Sequence, residues 1–167
     1  MANANRETLQ GWDHGVFVPL LIINPSANIP IIQLSVLSSE NPAAHYAMGR
    51  ALSTLRDSNI AIIGSGFASF HNLRLMFSGI THDPSFRSRN KQWNDAVTEA
   101  VSETDNDERI QKLEKWREFP AAYEMHPRGG AEHFLPLLVC AGAGGEGKAE
   151  RYTDEFMGLD MYSYYWT

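Results

Sequence analysis

The chain has 167 residues, 43% of them apolar and 20% charged, which suits one globular domain and excludes a wholly disordered protein. Twenty acidic residues against fourteen Lys and Arg give a formal net charge of −6. This balance argues against a nucleic-acid-binding surface, because such surfaces neutralise phosphates with basic side chains. The single cysteine, Cys140, can form no intrachain disulfide, so we expect a reducing, cytoplasmic location. No apolar run is long enough to span a bilayer and the N-terminus is polar, so we expect neither a membrane span nor a signal peptide.

The first part of the chain alternates apolar segments with turn residues. Residues 16–23 are apolar but interrupted by Pro19, a pattern that fits either a short helix or a buried segment. A turn cluster at residues 24–28 follows. Residues 29–37 are β-branched and apolar between turn signals, which predicts a strand buried on both faces.

A helix and a second strand are predicted next. Asn41 is a good N-cap and Pro42 suits the first helical position, so a helix is expected over residues 42–56. The apolar residues 60–63 then predict a short buried strand. Strand, helix and strand together predict a βαβ unit with a parallel strand pair and a right-handed crossover. Ligands bind at the carboxyl ends of such strands, which directs attention to the segment after residue 63.

The second half is predicted to be mainly helical. Its expected elements are a loop (78–90), two helices (91–103 and 107–116), a turn (125–130), a third helix (131–143), a flexible glycine-rich connector (141–147) and a final edge strand (156–166). The predicted fold class is therefore α/β: a mostly parallel twisted sheet flanked by helices, in one domain spanning residues 1–167.

Three of the six histidines have contexts that suit chemistry. His14 lies beside a glycine that allows close backbone approach, although a turn with local capping explains it equally well. His71 follows the second predicted strand, and the alternative is a buried histidine bonded to backbone. His133 lies near the start of the third predicted helix, next to Glu132, where a neutral imidazole suits a metal ligand or a hydrogen-bond donor. The alternative is a polar residue of a first helical turn.

The other histidines are expected to be structural. His45 and His82 are predicted to lie near the surface, and His126 to lie in a turn. The sequence contains no HExxH, no paired CxxC and no Walker loop. Its glycine-rich stretch AGAGGEG (141–147) follows a predicted helix instead of preceding one, so it is a poor anion-binding site. Spacing alone therefore identifies three dispersed histidines and no defined reaction.

Three sequence blocks carry a family resemblance. The blocks are GWDHGVFVPLLIINPSANIPIIQLS (11–35), IIGSGFASFHNLRLM (62–76) and GGAEHFLPLLVCAGAG (129–144). Together, and in this order, they resemble the class III extradiol ring-cleavage dioxygenases, most closely the DOPA 4,5-dioxygenase-like branch of the LigB superfamily. The resemblance implies an oxidoreductase that uses non-haem Fe(II), or in some members Zn(II), and O₂ to open the ring of a small catechol-type substrate.

The resemblance also implies roles for individual residues. His14 and His71 match catalytic histidines, and His71 and His133 match positions at the metal. His14 is also expected to contact the substrate, together with Asp13 and Asn72. Imidazole suits both tasks, because it binds Fe(II) and Zn(II) and moves protons near neutral pH.

The resemblance covers the C-terminal part of the family domain. Members begin with a strand and an HGxP-type turn and continue to an HW motif, whose histidines are metal ligands, and neither motif occurs here. We therefore expect the metal site to be completed by a partner chain or by upstream sequence, in a homo- or hetero-oligomer. The alternatives are a metal-free relative that performs acid–base isomerisation or cyclisation of a small aromatic or polyketide-like substrate, and a non-catalytic subunit.

Overall fold

The computed structural model describes residues 11–167, which fall into two compact units. The first unit ends at Ser35 and the second is Val36–Thr167. No helix within the described residues is long and apolar enough to cross a membrane.

Between residues 11 and 35, the described part of the first unit, there is one helix, α1 (His14–Ile23). The backbone oxygen of Asp13 starts it by accepting hydrogen bonds from the N–H groups of Val16 and Phe17, at 2.8 and 3.0 Å. The helical alternative for this segment is thus confirmed, but no residue of α1 is buried. The strand predicted over residues 29–37 is not formed among the described residues: the segment pairs with no strand, and Ile32 is 94% exposed.

The second unit is mainly helical. Its helices are α2 (Pro42–Leu52), α3 (Leu73–Met76), α4 (Pro84–Val101), α5 (Asn106–Leu113), α6 (Ala122–Met125) and α7 (Leu135–Ala143), with 3₁₀ turns at Ser53–Ser58, Ile80–His82 and Trp116–Glu118. The core is built from their apolar faces, and its largest fully buried side chains include Trp93, Trp116, Phe70, Phe86 and Phe134.

Helices α2 and α7 touch through their backbones. A Cβ atom on Gly49 would lie 1.9 Å from the carbonyl oxygen of Val139, and one on Gly142 would lie 2.2 Å from that of Tyr46. Only glycine fits at either position, so these two residues set the separation of the helices. Helix α2 begins as predicted, since the side chain of Asn41 accepts from Ala44 N–H at 3.0 Å.

Two helices begin at residues other than those predicted. Helix α4 starts at Pro84, inside the predicted loop, because Asp83 caps it by accepting from Phe86 N–H at 2.8 Å. Helix α7 starts at Leu135, four residues after the predicted start, so Pro136 falls in its first turn. His133 therefore lies in the turn that precedes the helix.

The sheet of the described residues is a hairpin. Strands β1 (Glu150–Phe156) and β2 (Leu159–Tyr165) pair antiparallel around a Met157–Gly158 turn. The second half of this hairpin confirms the predicted final strand. Residues 60–63 form no ladder, and Ile63 is 65% exposed, so the predicted βαβ pairing is not formed among the described residues. A strand needs a neighbour for its backbone groups, and none lies beside this segment within the described part of the chain.

The glycine-rich segment after α7 is held by a buried cation. The Arg109 guanidinium is fully buried and donates to the carbonyl oxygens of Ala141 and Gly145, at 3.0 and 2.8 Å, and to that of Gly147. It also donates to the Glu103 carbonyl at 2.9 Å, and we call this set of hydrogen bonds the Arg109 clamp. The predicted flexible connector is therefore a fixed link between α7 and the hairpin.

Candidate metal centre

His71 is positioned by α6. Its backbone N–H donates to the Met125 carbonyl at 3.0 Å, and the next residue, Asn72, donates from Nδ2 to the Glu124 carbonyl at 2.9 Å. The Oδ1 of Asn72 accepts from Leu75 N–H at 3.4 Å and so caps α3. Residues 71 and 72 are thus attached to the end of α6 by two hydrogen bonds.

His133 and Glu132 lie in the turn before α7. The turn is closed by hydrogen bonds from the N–H groups of Phe134 and Leu135 to the Ala131 carbonyl, at 2.8 and 3.0 Å. Gly66 packs directly on this turn, since a Cβ there would lie 2.3 Å from the His133 carbonyl oxygen. The backbone of the loop that leads to His71 therefore contacts the backbone of His133.

The three side chains form one cluster. The imidazole rings of His71 and His133 stack with centroids 3.5 Å apart and planes inclined by 28°. One ligand atom from each of His71, Glu132 and His133 lies within 4.8 Å of the others. Both histidines are half-buried and Glu132 is exposed, so the cluster is accessible to an ion from solvent.

This donor set fits a transition metal. Two imidazoles and one carboxylate are ligands that Zn(II) and non-haem Fe(II) sites use, and the spacing lets one ion reach all three. Burial lowers the pKa of His71, and the nearby Glu132 carboxylate opposes that shift. A lowered pKa favours the neutral imidazole, which is the form that binds metals.

An aromatic pair borders the cluster. The ring centroid of Phe67 lies 6.2 Å from that of His71, 5.9 Å from that of His133 and 6.2 Å from that of Phe156. Both phenylalanines are 42% exposed. Sequence analysis did not identify either residue, and only the proximity of Phe67 to His71 along the chain could have suggested one of them.

His126 is buried beneath the segment that carries Phe67. Its Nε2–H donates to the Ala68 carbonyl at 3.0 Å, while Nδ1 is buried without a hydrogen-bond partner among the described residues. Burial lowers the pKa of His126 to about 3. His126 is therefore neutral near pH 7, and its hydrogen bond to Ala68 fixes the backbone next to Phe67.

The remaining predicted residues lie elsewhere. Asp13 and His14 are exposed in the first unit, where Asp13 exchanges two 2.9 Å hydrogen bonds with Gln33. Gln33 was not predicted to take part. The surface position predicted for His45 is wrong: it is fully buried, donates from Nδ1 to the Asn41 carbonyl at 2.7 Å and accepts from Leu37 N–H at 3.1 Å. His82 is exposed, as predicted.

A cleft of about 910 Å³ lies between residues 59–64, α7 and the end of β2. Its lining includes Cys140 and His133. Burial raises the pKa of the Cys140 thiol to about 11, which keeps it protonated near pH 7 and makes it a poor nucleophile.

Comparisons with known proteins give a consistent family signal. The profile of the family described as the catalytic LigB subunit of aromatic ring-opening dioxygenase matches residues 3–163. The chain is 51% identical over 165 residues to dioxygenase tasH of Hapsidospora irregularis, covering 94% of this chain and 50% of the relative. It is 36% identical over 152 residues to the 4,5-DOPA dioxygenase extradiol of Portulaca grandiflora, covering 89% of this chain and 52% of the relative. The corresponding protein of Beta vulgaris is 33% identical over 150 residues, with 89% and 52% covered. The chain thus spans about half the length of the curated relatives it matches.

Proposed function

Because the chain belongs to the LigB family of aromatic ring-opening dioxygenases, we propose that it forms part of a metal-dependent extradiol dioxygenase that cleaves a small catechol-type substrate with O₂. The observation that carries this proposal is the cluster of His71, Glu132 and His133, whose ligand atoms lie within 4.8 Å of one another. The resemblance implies His71 and His133 as metal ligands, and the proximity of these two side chains in the cluster supports the proposal. The curated relatives named for DOPA make this catechol the first substrate to test.

We assign the metal to His71 and His133, with Glu132 as the third ligand. When bound, Fe(II) or Zn(II) supplies Lewis acidity, and iron also supplies redox chemistry. His71 is half-buried with a lowered pKa, so a neutral ring nitrogen is available to bind a cation or accept a hydroxyl proton. The side chain of Asn72 directs both of its polar atoms at backbone groups, which supports a positioning role for it in place of the substrate contact expected from the sequence.

Asp13 and His14 are proposed as substrate contacts. Both are exposed, and Gln33 holds Asp13 at the start of α1, because it accepts from the backbone N–H of Asp13 and donates from Nε2 to its carboxylate. A carboxylate and an imidazole next to each other in sequence can accept and donate hydrogen bonds to the hydroxyls of a catechol.

The proposal extends to the fold and assembly. We propose that residues 29–37 and 60–63 become strands of a mostly parallel sheet in the assembled protein. Their β-branched composition and the exposed side chains of Ile32 and Ile63 support this, because such side chains are stabilised by a neighbouring strand. The neighbour would come from further sequence or from a partner chain in an oligomer, at a cytoplasmic location.

Metal content and oxygen consumption test the function. Purified protein is loaded with Fe(II) or Zn(II), desalted and analysed for metal, and O₂ uptake is followed with L-DOPA and catechol. We expect near-stoichiometric metal in the wild type and a loss of at least tenfold in metal affinity for His71→Ala and His133→Ala. His82→Ala is the matched control, since His82 is exposed and outside the cluster.

The outcomes separate the alternatives. Loss of O₂ uptake in excess chelator, restored by Fe(II), supports the dioxygenase. Turnover that persists in excess chelator would instead support a metal-free acid–base enzyme that uses the same histidines. Wild-type protein that takes up no metal, in any oligomeric state, would overturn the assignment of the cluster.

A further inference from the structure

We propose that Phe67 and Phe156 form an aromatic wall that binds the face of the substrate ring beside the metal ligands. This inference rests on the proposed function and deepens it, since it names the residues that select a planar aromatic ring.

The geometry places the aromatic wall within reach of a ligand held at the cluster. The ring centroid of Phe67 lies 6.2 Å from that of His71 and 5.9 Å from that of His133. Phe156 extends the same surface, with its ring centroid 6.2 Å from that of Phe67 and planes inclined by 36°. Aromatic rings attract at centroid separations of about 4.5–7 Å, so a ligand ring held at the cluster would lie within stacking range of Phe67.

Exposure distinguishes these rings from the phenylalanines of the core. Phe67 and Phe156 are each 42% exposed, whereas Phe70, Phe86 and Phe134 are essentially buried. An apolar ring that stays exposed beside metal ligands offers surface that a planar ligand can cover.

The backbone around Phe67 is fixed on both sides. Gly66 before it lies against the His133 carbonyl, where no Cβ would fit. The carbonyl of Ala68 after it accepts from Trp93 Nε1 and His126 Nε2, both at 3.0 Å. Because the backbone of Phe67 is already fixed, its side chain loses little conformational entropy when a ligand ring stacks on it.

Phe156 is fixed by the hairpin. It is the last residue of β1 and pairs with Leu159 across the turn. The turn itself abuts Arg87, because a Cβ on Gly158 would lie 2.5 Å from its guanidinium, and Arg87 donates to the Thr81 carbonyl at 2.8 Å. The hairpin and the loop of residues 66–68 therefore meet at the metal cluster as two separately anchored elements.

The test compares ligands with and without an aromatic ring. Zinc-loaded wild type, Phe67→Leu and Phe156→Leu are titrated with 4-nitrocatechol, followed by its absorption spectrum, and with acetohydroxamate, a bidentate oxygen ligand that has no ring. Leucine keeps the side chain apolar and removes only the aromatic face. Phe77→Leu is the matched control, since Phe77 is exposed and has no ring contact with the described site residues.

We expect Phe67→Leu to weaken 4-nitrocatechol binding about tenfold, the effect of losing one stacking partner, and Phe156→Leu to weaken it about threefold. Acetohydroxamate affinity and zinc affinity stay within twofold of wild type in both variants, and Phe67→Tyr retains the nitrocatechol affinity. Unchanged nitrocatechol affinity in Phe67→Leu, or an equal loss for both ligands, overturns the aromatic wall. If the wild type binds no zinc, the proposed function fails, whereas the nitrocatechol titration on metal-free protein still tests the stacking.

Discussion

Replacing His126 by Gln removes a buried titratable group while keeping its hydrogen bond. The Nε2–H of His126 donates to the Ala68 carbonyl at 3.0 Å, and a Gln amide can donate from nearly the same place. Desolvation lowers the pKa of His126 from 6.5 to about 3, and the adjacent Arg117 cation adds to this effect. The substitution should therefore change how stability depends on pH.

The sign and magnitude follow from proton linkage. Between about pH 3 and 6.5 the unfolded chain binds a proton at His126 that the folded chain does not, so the free energy of unfolding falls as the pH falls. From pH 7 to pH 5 this one group removes about 2 kcal/mol of stability. His126→Gln lacks this contribution, and its stability should fall by about 2 kcal/mol less than that of the wild type over the same interval.

Urea unfolding at pH 7, 6 and 5 measures the difference. The rings of Trp93 and Trp116 lie 5.4 and 6.4 Å from that of His126, so tryptophan fluorescence reports on this part of the core. Chelator is kept in every sample so that metal binding does not contribute. His82→Gln, at an exposed position, is the control and should follow the wild type. Parallel pH dependences for wild type and His126→Gln would refute the assignment of a buried neutral imidazole.

Three further substitutions test other parts of the structure. Arg109→Met should lower the free energy of unfolding, measured by urea titration, by about 3–5 kcal/mol, because it leaves the carbonyls of Ala141, Gly145 and Gly147 without this donor. Arg109→Lys should recover part of the loss, and a methionine variant as stable as the wild type would contradict the clamp. Gly142→Ala should cost about 3 kcal/mol, seen as a lower Tm, because its Cβ would lie 2.2 Å from the Tyr46 carbonyl, whereas Gly11→Ala meets nothing within 4 Å and should be neutral. Asn72→Ala should weaken zinc binding about tenfold in calorimetric titrations, because it removes one of the two hydrogen bonds that attach residues 71 and 72 to α6, and an unchanged affinity would contradict the positioning role of Asn72.

Local signals predicted the helices better than the sheet. Asn41 capped α2 as expected, and Asp83 with Pro84 carried an equally good signal for α4 that the polar composition of residues 78–90 obscured. Strands depend on partners distant in sequence, so apolar composition at residues 29–37 and 60–63 could not establish a ladder. The β1 strand was not predicted, because all seven of its residues are exposed and the segment lacks the apolar composition that signals a buried strand.

The site was predicted in part. The sequence identified His71 and His133 as candidates, and the structure stacks their rings 3.5 Å apart. Phe156 was not identified, because it enters through a hairpin more than eighty residues beyond Phe67 along the chain, a contact that no local pattern encodes. His45 was misplaced because helical spacing did not reveal that its two ring nitrogens bond to the Asn41 and Leu37 backbone.

The Arg109 clamp has a consequence for protease cutting and for protein engineering. Residues 141–147 (AGAGGEG) have the composition of a flexible linker, where a tag would ordinarily be inserted or the chain truncated. The carbonyls of Ala141, Gly145 and Gly147 are nevertheless all bound by the Arg109 guanidinium. A protease should cut there only after the clamp opens, so the cleavage rate becomes a measure of how firmly the C-terminal hairpin is attached. An insertion at this segment would instead break the direct chain connection between the candidate metal ligands and the hairpin that carries Phe156, while leaving every one of those ligands in place.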